Sequence, residues 1–581
     1  MPTVNTRTIL WLLLVAVLFL NYEMWQRDYP PVPVLAGVGN AVSSRPLDAT
    51  APTVPPPASA APAATNSTGA GAALGATAPS LGTSAADVRA AAANESAAAV
   101  NGPPGGVVHV VTDVLDLDIG LTGGELQRAD LPKYPIAKDQ PNVPVRLLNR
   151  DGPETLFVLQ SGLAGAPGEE APTHLAVYHA QQEARLGAAA NELRVPLIWT
   201  DAHGVTVTKT FSFRRGEYAI GLEYRIENGA QMPWSFAPYT QILRNNPPVE
   251  TSMFHVDSYA FKGPAIYDGT RYQKLNFAKG ATLNQDVRGG WIAALQYHFV
   301  AADVPGGDAP YRYELKSQGN QFLLSATGPS QTVAPGASTT VRETLFVGPK
   351  LQAQLEQAGP RLELVTDYGR LALLAKPLFW LLERVHSLVG NWGFAIIIVT
   401  FLLKLLFYPL LEISGRSMAK MKELGPRMNN LRETYKDDRE KLNRAMMELY
   451  QREKINPLAG CLPMLIQMPV LLAFYWVLRD SVEIRQAPFI GWITDLSSRD
   501  PYFILPAVMA GANFLQFKLN PQMGDPAQQK IMMFMPIAMS VMFAFFPAGL
   551  VLYWVTSTLL GILQQWHINR RIAASAARTR S

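Results

Sequence analysis

The stretch "WGFAIIIVTFLLKLLFYPLL", residues 392–411, decides how the rest of the chain is read. As a helix rising about 1.5 Å per residue it spans about 30 Å, the thickness of a bilayer's hydrocarbon core. Its one charge, Lys404, costs about 2.5–3.5 kcal/mol at mid-membrane on insertion scales. The lysine lies about 10 Å above the Leu411 end, so its stem could carry the ammonium out to the headgroups. Its company points elsewhere. Thr400 sits one turn above on the same face, Gln467 falls in a second apolar run and Ser540 in a third. Tyr553 and Ser557 follow at i, i+4. No Asp or Glu occurs in any of these runs. Polar groups around an unneutralised cation predict a solvated groove. The missing carboxylate argues against a proton relay or cation pathway.

Further apolar stretches cover 455–478, 501–517 and 531–569. The last would measure about 58 Å as one helix, so it is predicted to be two spans folding back near "FPAG" (546–549). Segment 412–454 carries eleven Lys and Arg, which assigns it to the cytoplasm. Alternation then puts 479–500 outside and 518–530 inside. The tail "NRRIAASAARTRS", with four Arg and no acid, also falls inside. The run from Ile531 to Phe546 is short, about 24 Å, and predicts a locally thinned membrane. Within 412–454, Met418, Met421, Leu424, Met428 and Leu431 form one stripe, and Leu442, Met446, Leu449 and Tyr450 form another. "KDD" (436–438) lies between them. Two short antiparallel helices follow, their methionines forming either a seam or a surface for partners.

The preceding region is different in kind. Residues 1–28, with "ILWLLLVAVLFLNYEMW" after Arg7 and no A-x-A site, read as an uncleaved signal anchor. Segment 29–106 reads as a flexible linker, since Pro, Ala, Gly, Ser and Thr fill 56 of the positions 31–106. Between 107 and 348 the period becomes two: "VLDLDI" (114–119), "VTVTKTFSF" (205–213) and "YAIGLEYRI" (218–226) alternate apolar and polar, predicting an antiparallel β-sandwich. Six of the eight histidines fall there, yet none has metal-ligand spacing, and no nucleophile motif or phosphate loop appears. Segment 349–390 closes with leucines at helical spacing, from Leu371 through Leu378 to Leu388, predicting an amphipathic interfacial helix. Residues 391–569 form the five-span core and 570–581 a short basic tail.

At 581 residues, 48% hydrophobic, 17% charged and with net charge +4, the chain shows no basic signature of sequence-specific nucleic-acid binding. Its single cysteine, Cys461, excludes an intramolecular disulfide and reads as a small buried hydrophobe. The fold class is thus a six-span α-helical membrane protein with a large extracytoplasmic sandwich.

"GNWGFAIIIVTFLLKLLFYPL", "NPLAGCLPMLIQMPVLLAFYWVLRDSVEIRQAPF", "DLSSRDPYFILP" and "QQKIMMFMPIAMSVMFAFFPAGLVLYW" closely resemble the YidC family of bacterial membrane protein insertases, almost continuously over 366–569. "GGWIAALQYHF" (289–299) extends a weaker resemblance over the sandwich, as in Gram-negative members. The resemblance implies a non-enzymatic insertase and chaperone of the inner membrane, acting alone or with the Sec translocon, without cofactor or metal. It implies residues 29–390 periplasmic and both termini cytoplasmic. It places Lys404 in a hydrophilic groove that attracts polar, often acidic, client segments. Where the family often has arginine, lysine keeps the charge but not the planar fork. The same resemblance makes Trp554 a client-contacting aromatic and the hairpin and loop 518–530 contacts for ribosome or targeting factors. Nascent membrane proteins and lipids are the implied partners, and the short tail argues against strong tail-mediated ribosome binding. Two other classes are weighed: a small-solute transporter, disfavoured because five core spans do not divide into halves, and an anchored periplasmic sugar-active enzyme.

Overall fold

The computed structural model describes residues 46–52, 106–247, 261–277, 280–366, 368, 371–435, 438–453, 462–519 and 526–580. The signal anchor, most of the 29–106 linker, Cys461 and residues 520–525 of the 518–530 loop lie outside the described residues.

Period-two alternation builds the first body. The described strands run from β1 (Val107–Val111) to β19 (Ser338–Pro349) and form two sheets. In the first sheet the order is β13-β16-β17-β10-β5-β3-β2-β1-β6, where β13 is Leu283–Val287, β16 Tyr311–Gln318 and β17 Gln321–Thr327. Next come β10 (Trp234–Asn245), β5 (Phe157–Gly165), β3 (Glu125–Pro135), β2 (Asp116–Gly120) and β6 (Glu183–Arg185). The second sheet centres on β15 (Phe299–Pro305), β19, β9 (Ala219–Asn228) and β8 (Val205–Arg214). Pairing is antiparallel except for β1 with β6. The inward sides of β8 and β9, Val205, Val207, Phe211 and Phe213 facing Ile220, Leu222, Tyr224 and Ile226, are all buried between the sheets. Each such large apolar side chain contributes roughly 1.5–3 kcal/mol of burial.

The linker is not free along its whole length. Leu47 packs against Val158, Leu243 and Leu323, and His174 Nε2 meets the Asp48 carbonyl at 2.8 Å. The flexible reading of 29–106 is corrected for residues 46–52.

The second body is helical. Helix α1 (Gln352–Ala358) leads to α2 (Ala372–Val389), which begins one residue after the first leucine of the pattern, Leu371. Its buried side is Ala375, Leu378, Phe379, Leu382 and Val385, packed on the bundle, while Leu373, Trp380 and Leu388 stay exposed. Both faces are therefore apolar, and only one is covered by protein. Helix α3 (Trp392–Leu406) starts at Asn391, whose side chain accepts from the Gly393 and Phe394 N–H groups. A Cβ on Gly393 would overlap the Phe489 ring, so glycine is required there.

The expected straight helix through 411 is not observed: α3 stops at Leu406, and α4 (Tyr408–Glu423) continues at 65° to it. Pro409 explains the break, since it has no N–H for the Leu405 carbonyl and its ring crowds the preceding turn. The basic segment folds as α4, α5 (Gly425–Thr434) and α6 (Arg439–Arg452), one more break than the simple hairpin. Met421, Leu424 and Met428 pack against Met446, Leu449 and Tyr450, so the methionines form a seam. Helices α7 (Leu462–Asp480), α8 (Ile504–Leu519), α9 (Pro526–Phe543) and α10 (Ala548–Arg580) complete the bundle. The break between α9 and α10 falls at 544–547, beside the "FPAG" turn, and α10 runs on through the basic tail. Among the described residues no single helix is long and apolar enough to cross a membrane, but the bent α3–α4 pair is.

The two bodies touch. Arg485 donates to the Pro135 and Ile136 carbonyls at 2.9 and 3.1 Å, and Lys138 Nζ reaches the Gln486 and Thr494 carbonyls.

Candidate functional site

Lys404 lies in the last turn of α3, where a cation suits the partial negative charge of the helix end. Its ammonium donates to Gln467 Oε1 on α7 at 3.3 Å, and among the described residues no carboxylate forms an ion pair with it. Thr400 turns its hydroxyl back to the Ile396 carbonyl at 2.6 Å. On α10, Tyr553 stacks on Phe474 with ring centres 4.3 Å apart, one turn before Ser557. These five residues line one cavity of about 30 Å³, closed by Leu403, Phe407 and Val470. That volume exceeds the roughly 10–15 Å³ that one water needs, and the walls supply the polar partners it requires. The site is a small pocket into which these polar groups and the ammonium open.

Two expected members are elsewhere. Ser540 donates to the Pro536 carbonyl at 2.8 Å and accepts from Asn513 at 3.3 Å. The Trp554 indole N–H donates to Asn513 Oδ1, also at 3.3 Å. Asn513 on α8 thus ties α9 to α10 in a second polar cluster that does not line the Lys404 cavity. Asn513 was missed in the sequence, as were Gln516 and Gly561. A Cβ on Gly561 would stand 3.6 Å from Gln516 Nε2 and 3.8 Å from Lys404 Nζ, so this glycine faces the ammonium. Asn513 and Gln516, polar at i, i+3 within an uncharged run, carried the signal.

The sandwich holds a second group of buried charges. Lys209 on β8 is fully buried and donates to the Gly123, Gly124 and Ser161 carbonyls at 2.8–2.9 Å, ringed by Tyr178, Phe211 and Tyr224. Burial pushes its amine down to about 7. Glu343 accepts from the Thr240 hydroxyl at 2.8 Å, while Asp303 is buried with neither oxygen hydrogen-bonded. Burial, and the charge of Glu343, raise the Asp303 carboxyl well above the usual range. Among the described residues no group of His, Cys, Asp and Glu is arranged to hold a metal ion.

The profile of the family described as "60Kd inner membrane protein" matches residues 384–575, and that of the "YidC periplasmic domain" matches 107–381. The chain is 45% identical over 582 aligned residues to the membrane protein insertase YidC of Thioalkalivibrio sulfidiphilus, covering 98% of each chain. The chain belongs to the YidC family. A second YidC, from Nitrosococcus oceani, is 42% identical with 98% of this chain and 99% of that one covered. The solved structure of an active YidC insertase with its first transmembrane domain resolved is 17% identical, covers 79% of this chain and 93% of that one, and superposes with a TM-score of 0.35. As a YidC, the chain pairs a membrane domain of inner-membrane type with a periplasmic domain of two antiparallel sheets.

Proposed function

We propose that this chain inserts nascent membrane proteins into the inner membrane through the Lys404 cavity, without chemical catalysis. The carrying observation is the arrangement around that lysine: a cation with an amide as its partner, no carboxylate, and three hydroxyl-bearing side chains inside an apolar bundle. Such a site attracts the polar or acidic end of a client and lowers the barrier to moving it partway across. A carboxylate partner would cancel that attraction. The structural work of binding then falls to Lys404, Thr400, Gln467, Tyr553 and Ser557. Trp554, Ser540 and Asn513 hold α8, α9 and α10 together beside them.

In this reading the chain crosses the membrane six times, with the anchor at 1–28, the linker at 29–106, the sandwich at 107–348 outside, and the connecting segment 349–390. The five-span core occupies 391–569, and both termini are cytoplasmic. Support comes from the eleven cations of 412–454 and from helix lengths: α3 and α8 measure about 22 and 24 Å, short for a normal bilayer. The exposed apolar side of α2, with Leu373 and Leu388, fits a lipid surface. In this reading the basic α4–α6 arms meet ribosome or targeting factors, and the chain acts alone or with the Sec translocon.

The test is photocrosslinking from positions 404, 467 and 553 to a stalled nascent membrane protein in the full chain. Crosslinks from all three, lost with a client whose extracytoplasmic segment is made basic, are the expected result. Full insertion by Lys404→Glu would end this reading.

A further inference from the structure

A cavity of about 760 Å³ lies where the sandwich meets the extracytoplasmic end of the bundle. Arg244 on β10, Lys262 and His298 reach it from the sandwich, and Arg485 and Arg499 from the connection between α7 and α8. Pro547, in the turn before α10, closes its floor. Among the described residues the lining's one carboxylate, Asp495, already accepts from the Ser497 N–H and hydroxyl, and four Arg and Lys outweigh it by three charges.

Two of the lining groups are built in rather than solvated. Arg244 is 6% exposed, stacks over Phe157, and donates to the Leu295 carbonyl at 2.7 Å. A guanidinium has five N–H donors in a fixed fork, so most of its capacity remains beyond that bond. His298 is equally buried, and its Nδ1 makes no hydrogen bond. Burial and the charges of Arg485, Lys350 and Arg479 hold its imidazole down to about 3, so it enters the cavity neutral and can offer one N–H. The two groups line the same cavity, and buried polar groups left with unused hydrogen-bonding capacity are costly unless something completes the bonding.

We propose that this cavity binds the phosphate of an anionic phospholipid headgroup. The donors converge from both bodies, and a tetrahedral phosphate presents oxygens in more directions than a planar carboxylate can. The cavity is also of ordinary ligand size, far larger than a bare ion needs. The connection that supplies Arg485 and Arg499 also carries exposed Trp492, Tyr502 and Phe503, residue types that settle at headgroup depth. The anion chemistry stands on the cavity alone; the lipid source rests on the membrane orientation proposed above.

The experiment titrates the purified full chain in detergent with dihexanoyl phosphatidylglycerol, dihexanoyl phosphatidylcholine, inorganic phosphate or a glutamate-rich peptide, reading heat of binding. Saturable binding of one phosphatidylglycerol per chain, about tenfold tighter than phosphatidylcholine, is expected. Lys262→Gln with Arg499→Gln changes the two more exposed cations and should weaken it by about tenfold or more. Arg499→Lys, which keeps the charge, tests for a merely structural loss and should retain most of the affinity. Inorganic phosphate binding as tightly would reassign the site to a free anion and overturn the lipid source. Tighter binding of the peptide, absence of saturable binding, or an unchanged affinity in the double variant would overturn the proposal. No client is present in this assay, so its outcome is independent of the insertion reading.

Discussion

A Cβ on Gly561 would stand 3.8 Å from the Lys404 ammonium, and that clearance makes a test at the scale of one residue. Gly561→Ala adds a methyl at ordinary contact distance, so insertion by this variant should stay within about twofold of the parent. Gly561→Leu has no such room and should displace the ammonium, lowering insertion of a single-span client by about tenfold or more. Equal activity of the two variants would show that the cavity's width is immaterial. Lys209 and Asp303 were hidden in the sequence for the opposite reason. Lys209 occupies the inward slot of "VTVTKTFSF" between Val207 and Phe211, and alternation alone assigns it to the core; a lysine there invites being passed over. Asp303 bears on pH. Its carboxyl is raised in the folded chain, so the fold keeps a proton that the unfolded chain releases near about pH 4. Stability is full below that point and declines as pH rises toward the folded-state value. Denaturant unfolding of Asp303→Asn against the parent should show the variant gaining relative stability between about pH 4 and pH 8. A difference that stays flat would mean that Asp303 is already ionised in the fold. Ser540 reads with Lys404 because it is polar within an apolar run, and Trp554 because the family resemblance implies it. Tyr553 and Trp554 are adjacent, and neighbours on a helix point about 100° apart, so Tyr553 lines the Lys404 cavity while Trp554 turns to Asn513.

At the scale of elements, the strands and the helix breaks near "FPAG" and "KDD" are legible, and the break inside 392–411 is not. The β8 and β9 alternations translate directly into inward and outward faces because the strand period matches the sequence period. The hydrophobic stretch 392–411 reads as one helix because hydropathy is blind to backbone donors, whereas the chain turns by 65° beside Pro409, which has no N–H to continue the ladder. Gly393 is the other element-scale determinant. The Phe489 ring seats directly on it, so Gly393→Val must push the 481–503 connection off the start of α3. Such overpacking costs about 1–3 kcal/mol. We expect a lowered melting temperature and faster hydrogen exchange confined to residues 486–496, and unchanged exchange there would place the flexibility elsewhere.

At the scale of the molecule, the sheet order and the docking of sandwich on bundle were beyond the sequence. Strand β10 lies between β5 and β17, partners some eighty residues away on either side, and no local pattern encodes such pairing. The docking contacts are mostly side chains reaching backbone carbonyls, at Pro135, Ile136, Gln486 and Thr494, acceptors that every residue carries. Lys138→Ala removes two of these bonds at an exposed position, about 0.5–1.5 kcal/mol each. Spin labels on the sandwich and the bundle should then report a broader distance distribution with the same mean. An unaltered distribution would mean that Arg485 and Gln486 hold the two bodies unaided.

The 65° break after Leu406 makes α4 a lever whose fulcrum adjoins the cavity wall at Phe407. Sixteen residues at about 1.5 Å each give that lever about 24 Å of reach, so a swing of about 10° at its base carries the far tip about 4 Å. Whatever loads the tip would be geared to the wall of the Lys404 cavity.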